Sequence, residues 1–242
     1  MINKKSMTGT KTASIVDEGL RQYMIKVYNY MTGGLCITAL AAFITLNTPL
    51  IKIFFTFENG YVTGASPLMW IILFAPLLLV FAFSTLLTRG TISQIRTAFI
   101  AFSAVMGLSI APVLLGNTGA SVANIFLITA AMFGGMSIYG YTTKKDLTSI
   151  GSFMIMGVWG LIIASIINIF LRSPGLYYAI SFIAVAVFTV LTAYDTQKIR
   201  EMYFAHDGDD TYTRKAIAGA LALYLDFINL FLALLRIFGD RR

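Results

Sequence analysis

Charge is scarce in this chain: only 12% of its 242 residues are Asp, Glu, Lys or Arg, and it has a single cysteine and a single histidine. Soluble domains carry about 25% charged residues, so too few are present here to cover a globular surface in water. The bilayer must be the solvent for most of the molecule. A lone cysteine excludes an internal disulfide and leaves the redox compartment unread. Cys36 lies in an apolar run, where a small buried hydrophobe is expected. A lone histidine excludes an HExxH zinc site, a bis-histidine haem and any histidine-rich metal path. An intramembrane Ser–His pair needs its histidine inside a helix, whereas His206 lies in the polar stretch AHDGDD and is expected in a solvated loop.

What is present is apolar residues, 57% of the chain, gathered into runs of the roughly 20 residues that cross a bilayer as a helix. The runs are 24–47, 68–88, 97–116, 120–141, 150–171, 176–202 and 214–238. Between them fall turn signals such as Asn47-Thr48-Pro49, Ser66-Pro67, Gly116-Asn117-Thr118-Gly119 and Ser173-Pro174-Gly175. Nothing is left over for a soluble domain. The expectation is an all-α membrane protein with seven transmembrane helices: a polar cytoplasmic tail at 1–22, then one domain at 23–242. The tail is long and the first run continues past Ala39-Leu40-Ala41, a triplet that offers a cleavage site, so an uncleaved span is expected rather than a signal peptide. Spans one to three and four to six allow two three-helix halves, without residue-level repetition. Gly33-Gly34, Gly116, Gly119, Gly134-Gly135, Gly157 and Gly160 suit close helix packing.

The net charge of +7 does not point to nucleic acid, because the basic residues sit in short segments between apolar runs. Their placement reports orientation instead. With the N-terminus cytoplasmic, the inner segments hold Lys4, Lys5, Lys11, Arg21, Lys26, Arg89, Arg96, Lys144, Lys145, Lys198, Arg200, Arg214 and Lys215. The outer segments hold only Lys52, Arg172, Arg236, Arg241 and Arg242. Seven spans then put the C-terminus outside; its own basic cluster leaves open a seventh helix that crosses only partly.

Few ionisable groups lie inside the runs. Spans one to five contain no interior acid; Asp195 lies near the cytoplasmic end of span six, and Asp226 lies near the middle of span seven. A carboxylate at that depth costs roughly 2.5–3.5 kcal/mol on insertion scales, faces a protein interior or water, and needs a partner. Arg236 is ten residues beyond Asp226, about 15 Å along a helix, and is expected to snorkel to the outer interface. Asp195 has two readings, an interfacial charge beside Lys198 and Arg200 or the partner of Asp226. The second requires tilted helices or a seventh helix that starts well outside the membrane, for which residues 207–211 offer caps. Two carboxylates sharing a low-dielectric site cannot both ionise cheaply and titrate as a unit. Protonated, they tie two helices together; ionised, they repel, admit water or bind a hard cation such as calcium. The pair is a proton-controlled latch, a cation site, or both.

At these residues the chain resembles the bacterial branch of the Bax inhibitor-1 family. The resemblance is carried by residues 223–231 (LYLDFINLF) with 234–239 (LLRIFG), 194–199 (YDTQKI), 140–147 (GYTTKKDL) and 107–112 (GLSIAP). It implies that the seventh helix is central and wrapped by two three-helix groups. It also implies a pH-sensitive calcium leak of the bacterial inner membrane, without cofactor or enzymatic activity. Asp195 and Asp226 fall on the family's gating acids, which are also the candidate calcium ligands, and Arg89 falls on its basic helper at the end of span two. Some relatives carry an acid within span two; residues 68–87 here have none. A second expectation of a different class is a membrane interaction protein that modulates a membrane-bound protease or a stress or cell-death complex. A hydrolase is disfavoured because Ser109 and Ser181 have no base beyond the two aspartates.

Overall fold

A computed structural model describes residues 4–58 and 61–240, with side chains for 18–56 and 64–240. Seven helices are long and apolar enough to cross a membrane, and the chain is an integral membrane protein. They are α1 (Lys4–Asn47), α2 (Pro67–Arg89), α3 (Ile92–Leu115), α4 (Gly119–Thr142), α5 (Thr148–Leu171), α6 (Pro174–Glu201) and α7 (Asp209–Phe238). Between α1 and α2 lie a 3-10 turn, Pro49–Phe54, and a hairpin of β1 (Phe55–Glu58) and β2 (Tyr61–Ala65). The hairpin was not expected from hydropathy. It pairs Phe55 with Ala65 in antiparallel register, and the strands flank Asn59-Gly60, the dipeptide favoured in hairpin turns; those two residues lie outside the described ones.

Boundaries follow local chemistry. Ser66, Thr118 and Ser173 each accept a hydrogen bond from a backbone N–H in the first turn of α2, α4 and α6. The start of α3 falls five residues before the apolar run because Thr91 and Gln94 form a reciprocal capping box. The backbone of the expected N-terminal tail is helical from Lys4 and continuous with the first span. At 30 residues, α7 is about 45 Å long and ends against the α3–α4 turn, where Thr118 N–H donates to Asp240 O (3.0 Å) and Asp240 N–H to Ser121 Oγ (2.9 Å). The seventh helix therefore runs the full height of the bundle. Arg241 and Arg242, counted toward the outer end, lie outside the described residues, as do the side chains of Lys4, Lys5 and Lys11.

Burial divides the helices by position. Of the most apolar stretch of each helix, 72% is buried in α7, 11% in α2 and none in α5. α7 packs on α6, α1, α4 and α3, while α2 leans on α3 and α5 on α6. Its buried face, including Ala216, Ile217, Ala220, Leu223, Tyr224, Phe227 and Leu230, forms the spine of the core. The exposed apolar side chains of α2 and α5, among them Trp70, Phe81, Trp159 and Phe170, face what a bilayer would supply.

Glycine has two roles, and the spacing alone did not separate them. A Cβ at Gly34 would crowd Phe99 and Ser103, and one at Gly157 would press on Val187. Gly33, Gly119, Gly134, Gly135 and Gly160 meet nothing within 4 Å, and Gly116 meets only Val113 O at 3.8 Å, so the packing expected of these six is absent. Cys36 is exposed on α1 rather than buried, because the turn of the helix carries it away from Gly34 and Thr38. His206 is exposed in the α6–α7 loop, with its ring 5.3 Å from Phe204.

Candidate functional site: an aspartate pair between α6 and α7

The two helices that carry the acids pack extensively against each other. Gly219 of α7 lies so close to Ile199 of α6 that a Cβ there would stand 3.0 Å from Ile199 Cγ2. Because the helices are antiparallel, this contact sets their register. Asp195 is four residues deeper than Ile199 and Asp226 seven deeper than Gly219, so the Cα atoms differ in depth by about 4–5 Å. The Cα–Cβ bonds lean toward each helix's own N-terminus. Asp195 therefore leans inward and Asp226 leans outward, and the side chains converge.

They meet. The Asp195 and Asp226 carboxyl groups lie close enough across the α6–α7 contact to influence each other. Asp226 is 4% exposed, and its Oδ2 is buried with no hydrogen-bond donor among the described residues. Contact between two acid oxygens is favourable only with a proton between them. Asp195 is half-buried. Neither neighbour forms an ion pair with Asp195: Lys198 Nζ lies 5.7 Å from the Tyr194 ring centre, and Arg200 pairs with Glu201 at 3.7 Å. The early start of α7 is what brings the depths together. Gly208 is its N-cap, without a side-chain cap from the neighbouring aspartates. Asp207 instead accepts from Lys215 Nζ at 2.6 Å and closes the α6–α7 loop.

Arg89 ends α2, exposed, with no hydrogen bond or ion pair among the described residues. The basic residue that ties this end of α2 to α7 is Arg214, whose Nη1 donates to Leu87 O at 3.2 Å. Position relative to apolar runs could not single it out, because Arg214 looked like one more interfacial charge.

The motifs that carried the family resemblance meet one another. A Cβ at Gly140 would overlap Ala193 O, and one at Gly151 would enter the Tyr194 ring. Gln197 accepts from Leu147 N–H (2.8 Å) and donates Nε2–H to Lys145 O (2.8 Å). Arg200 Nη1 donates to Tyr141 O (2.5 Å). The end of α6 that carries Asp195 is thus clamped to the α4–α5 loop. Across the bundle a Cβ at Gly107 would overlap Thr38 O. Thr38 Oγ1 is 2.6 Å from Tyr224 Oη and 2.8 Å from Ser103 O. With one hydroxyl proton, Thr38 donates to a carbonyl while Tyr224 donates to Thr38.

A third polar contact approaches the pair. Tyr28 Oη hydrogen-bonds Ser137 Oγ, which is 3.1 Å from Thr196 Oγ1, the neighbour of Asp195. Tyr28 and Ser137 line a cavity of about 550 Å³ between α1 and α4, together with Arg21, Gly134 and Tyr141. A second, apolar cavity of about 490 Å³ lies further along the same seam. Between them Phe227, next to Asp226, sits against Phe126 (5.3 Å) and Phe133 (5.5 Å) of α4. Nothing in the sequence marked Tyr28 or Ser137, since a lone hydroxyl in a span can bond its own helix backbone.

Residues 20–242 match the family described as Inhibitor of apoptosis-promoting Bax1. An uncharacterized protein of Rickettsia prowazekii is 43% identical over 239 residues, covering 98% of each chain. An uncharacterized protein of Caulobacter vibrioides is 40% identical over 240 residues, covering 98% of this chain and 96% of its own. Inner membrane protein YbhL of Escherichia coli is 41% identical over 226 residues, covering 93% and 94%. The match spans every helix, the aspartate pair and the contacts that align it, so the chain belongs to the Bax inhibitor-1 family.

Proposed function

We propose that the protein is a proton-gated passive leak for calcium or a similar cation across a bacterial inner membrane, with its N-terminus cytoplasmic. The observation that carries this reading is the buried Asp226 carboxyl on the face of α7 that packs against the Asp195 end of α6. One shared proton holds α6 to α7. Loss of that proton leaves two negative charges in a medium that screens them poorly, and the cost is relieved by separation, hydration or a passing cation. Because Phe227 adjoins Asp226, movement of α7 there is transmitted to the ring contacts with α4. Calcium takes about six to eight oxygen ligands. In this reading calcium is cargo, met by two acids and water. The excess of Lys and Arg in the inner segments supports the orientation, and the name of the E. coli relative supports the membrane. Arg89, implied as a helper by the family resemblance, would act from the exposed end of α2.

The test is reconstitution of the purified protein into vesicles containing a calcium-sensitive dye. Flux should rise as pH rises through the titration of the pair, and Asp226→Asn should conduct with no pH response. Flux equal to that of empty vesicles at every pH would sink the leak. A folded, non-conducting protein would favour the reading as a modulator of a membrane-bound protease or stress complex.

A further inference from the structure

At the end of the bundle opposite Asp195, a cavity of about 600 Å³ opens between the α3–α4 turn, the α5–α6 turn and the last turns of α7. Arg172 and Arg236 both line it, with Asn117, Ser173, Tyr177 and Tyr178. Neither arginine makes a hydrogen bond or an ion pair among the described residues; Arg236 only lies over the Tyr177 ring, 5.9 Å from its centre. Arg236 is half-buried, so its charge is partly withdrawn from water without a counter-charge. Arg172 occupies a left-handed backbone position, φ 50°, and is the only non-glycine residue among those described with positive φ. That position ends α5 and normally favours glycine. The turn is nonetheless firmly built: Asn168 Oδ1 accepts from Ser173 N–H at 3.0 Å, and Ser173 Oγ caps α6 at Leu176 N–H. The N-terminus of a 28-residue helix, with its positive end charge, therefore also opens on the cavity.

We propose that this cavity binds a phosphate oxyanion on Arg172 and Arg236, with the α6 N-terminus and the tyrosine hydroxyls completing the site. Two unpaired guanidinium forks match the geometry of phosphate oxygens, and a strained arginine at a glycine-favouring position is accounted for if its charge is used. The same chemistry could be offered by an anionic lipid headgroup or by free phosphate. The proposal does not depend on ion conduction.

Native mass spectrometry of the detergent-purified full chain, exposed to phosphatidylglycerol or phosphatidylcholine, separates these sources when paired with titration of inorganic phosphate followed by ³¹P NMR. Retention of phosphatidylglycerol over phosphatidylcholine, falling about tenfold for each Arg→Gln change, identifies a lipid site. Saturable inorganic phosphate binding lost in Arg172→Gln, without lipid preference, identifies a soluble ligand. Arg236→Lys should restore only part of the affinity because the planar fork is missing. Arg172 is exposed in a turn, so Arg172→Gln keeps the test available if Arg236→Gln fails to fold. Equal retention of both lipids by wild type and Arg172→Gln, with no saturable phosphate binding, overturns the proposal.

Discussion

Ile199 of α6 rests on Gly219 of α7, and that contact holds Asp195 at the level where it reaches Asp226. A side chain at position 219 would have to displace Ile199 or push the helices apart. Gly219→Val is expected to destabilise the protein by about 1–3 kcal/mol, the usual cost of overpacking. The loss should appear as a lowered midpoint in thermal unfolding in detergent. An unchanged midpoint would mean that the register is set elsewhere.

If Asp195 and Asp226 share one proton, they act as one titrating unit. Asp195→Asn and Asp226→Asn should each flatten the pH dependence of calcium flux, and the double variant should do no more than either alone. A double-mutant cycle on the flux would detect independent action as additive effects.

Gln197 satisfies two backbone groups of the α4–α5 loop, Lys145 O and Leu147 N–H. Gln197→Leu leaves both without this partner, at a cost of about 1–3 kcal/mol for each group that stays buried. The loop should become an early site of proteolytic nicking, readable by limited trypsin digestion at Lys144 and Lys145. Digestion at the wild-type rate would contradict the clamp.

Asp146, just before α5, accepts from Thr148 N–H at 2.8 Å. The Thr148 side chain first, and this backbone bond second, hold its carboxyl below the ordinary value of 3.8. The folded state therefore favours the ionised form. Its stabilising contribution is complete above the unfolded value and disappears as pH falls through the lower folded value. Hydrogen exchange at the first turn of α5, corrected for intrinsic rates, should accelerate across that acidic window in the wild type. In Asp146→Ala it should be fast already at neutral pH.

The elements were legible to different degrees. All seven spans could be read from apolar runs, and the run 68–88 falls within one residue of α2 at each end. The start of α3 was missed because a capping box, not hydropathy, places it. The hairpin at 55–65 was missed because its apolar residues fall in a segment too short to span. Asp226 was visible as a charge without a reason to be there, and Asp195 as either an interfacial charge or its partner. Arg214, Gln197 and Tyr28 were not visible, since each matters through a group remote in sequence.

By itself, the sequence determined that this is a seven-helix membrane protein with an acid buried in its last span. A bilayer interior offers no hydrogen-bonding solvent, so composition must declare every crossing. It did not determine which polar groups meet. That depends on helix depth and rotation, which close contacts between distant residues settle: Gly219 on Ile199, Gly140 on Ala193, Gly107 on Thr38. Only the tertiary structure puts Asp195 against Asp226, leaves Arg89 at the surface, and brings Arg172 and Arg236 to one cavity at the other end.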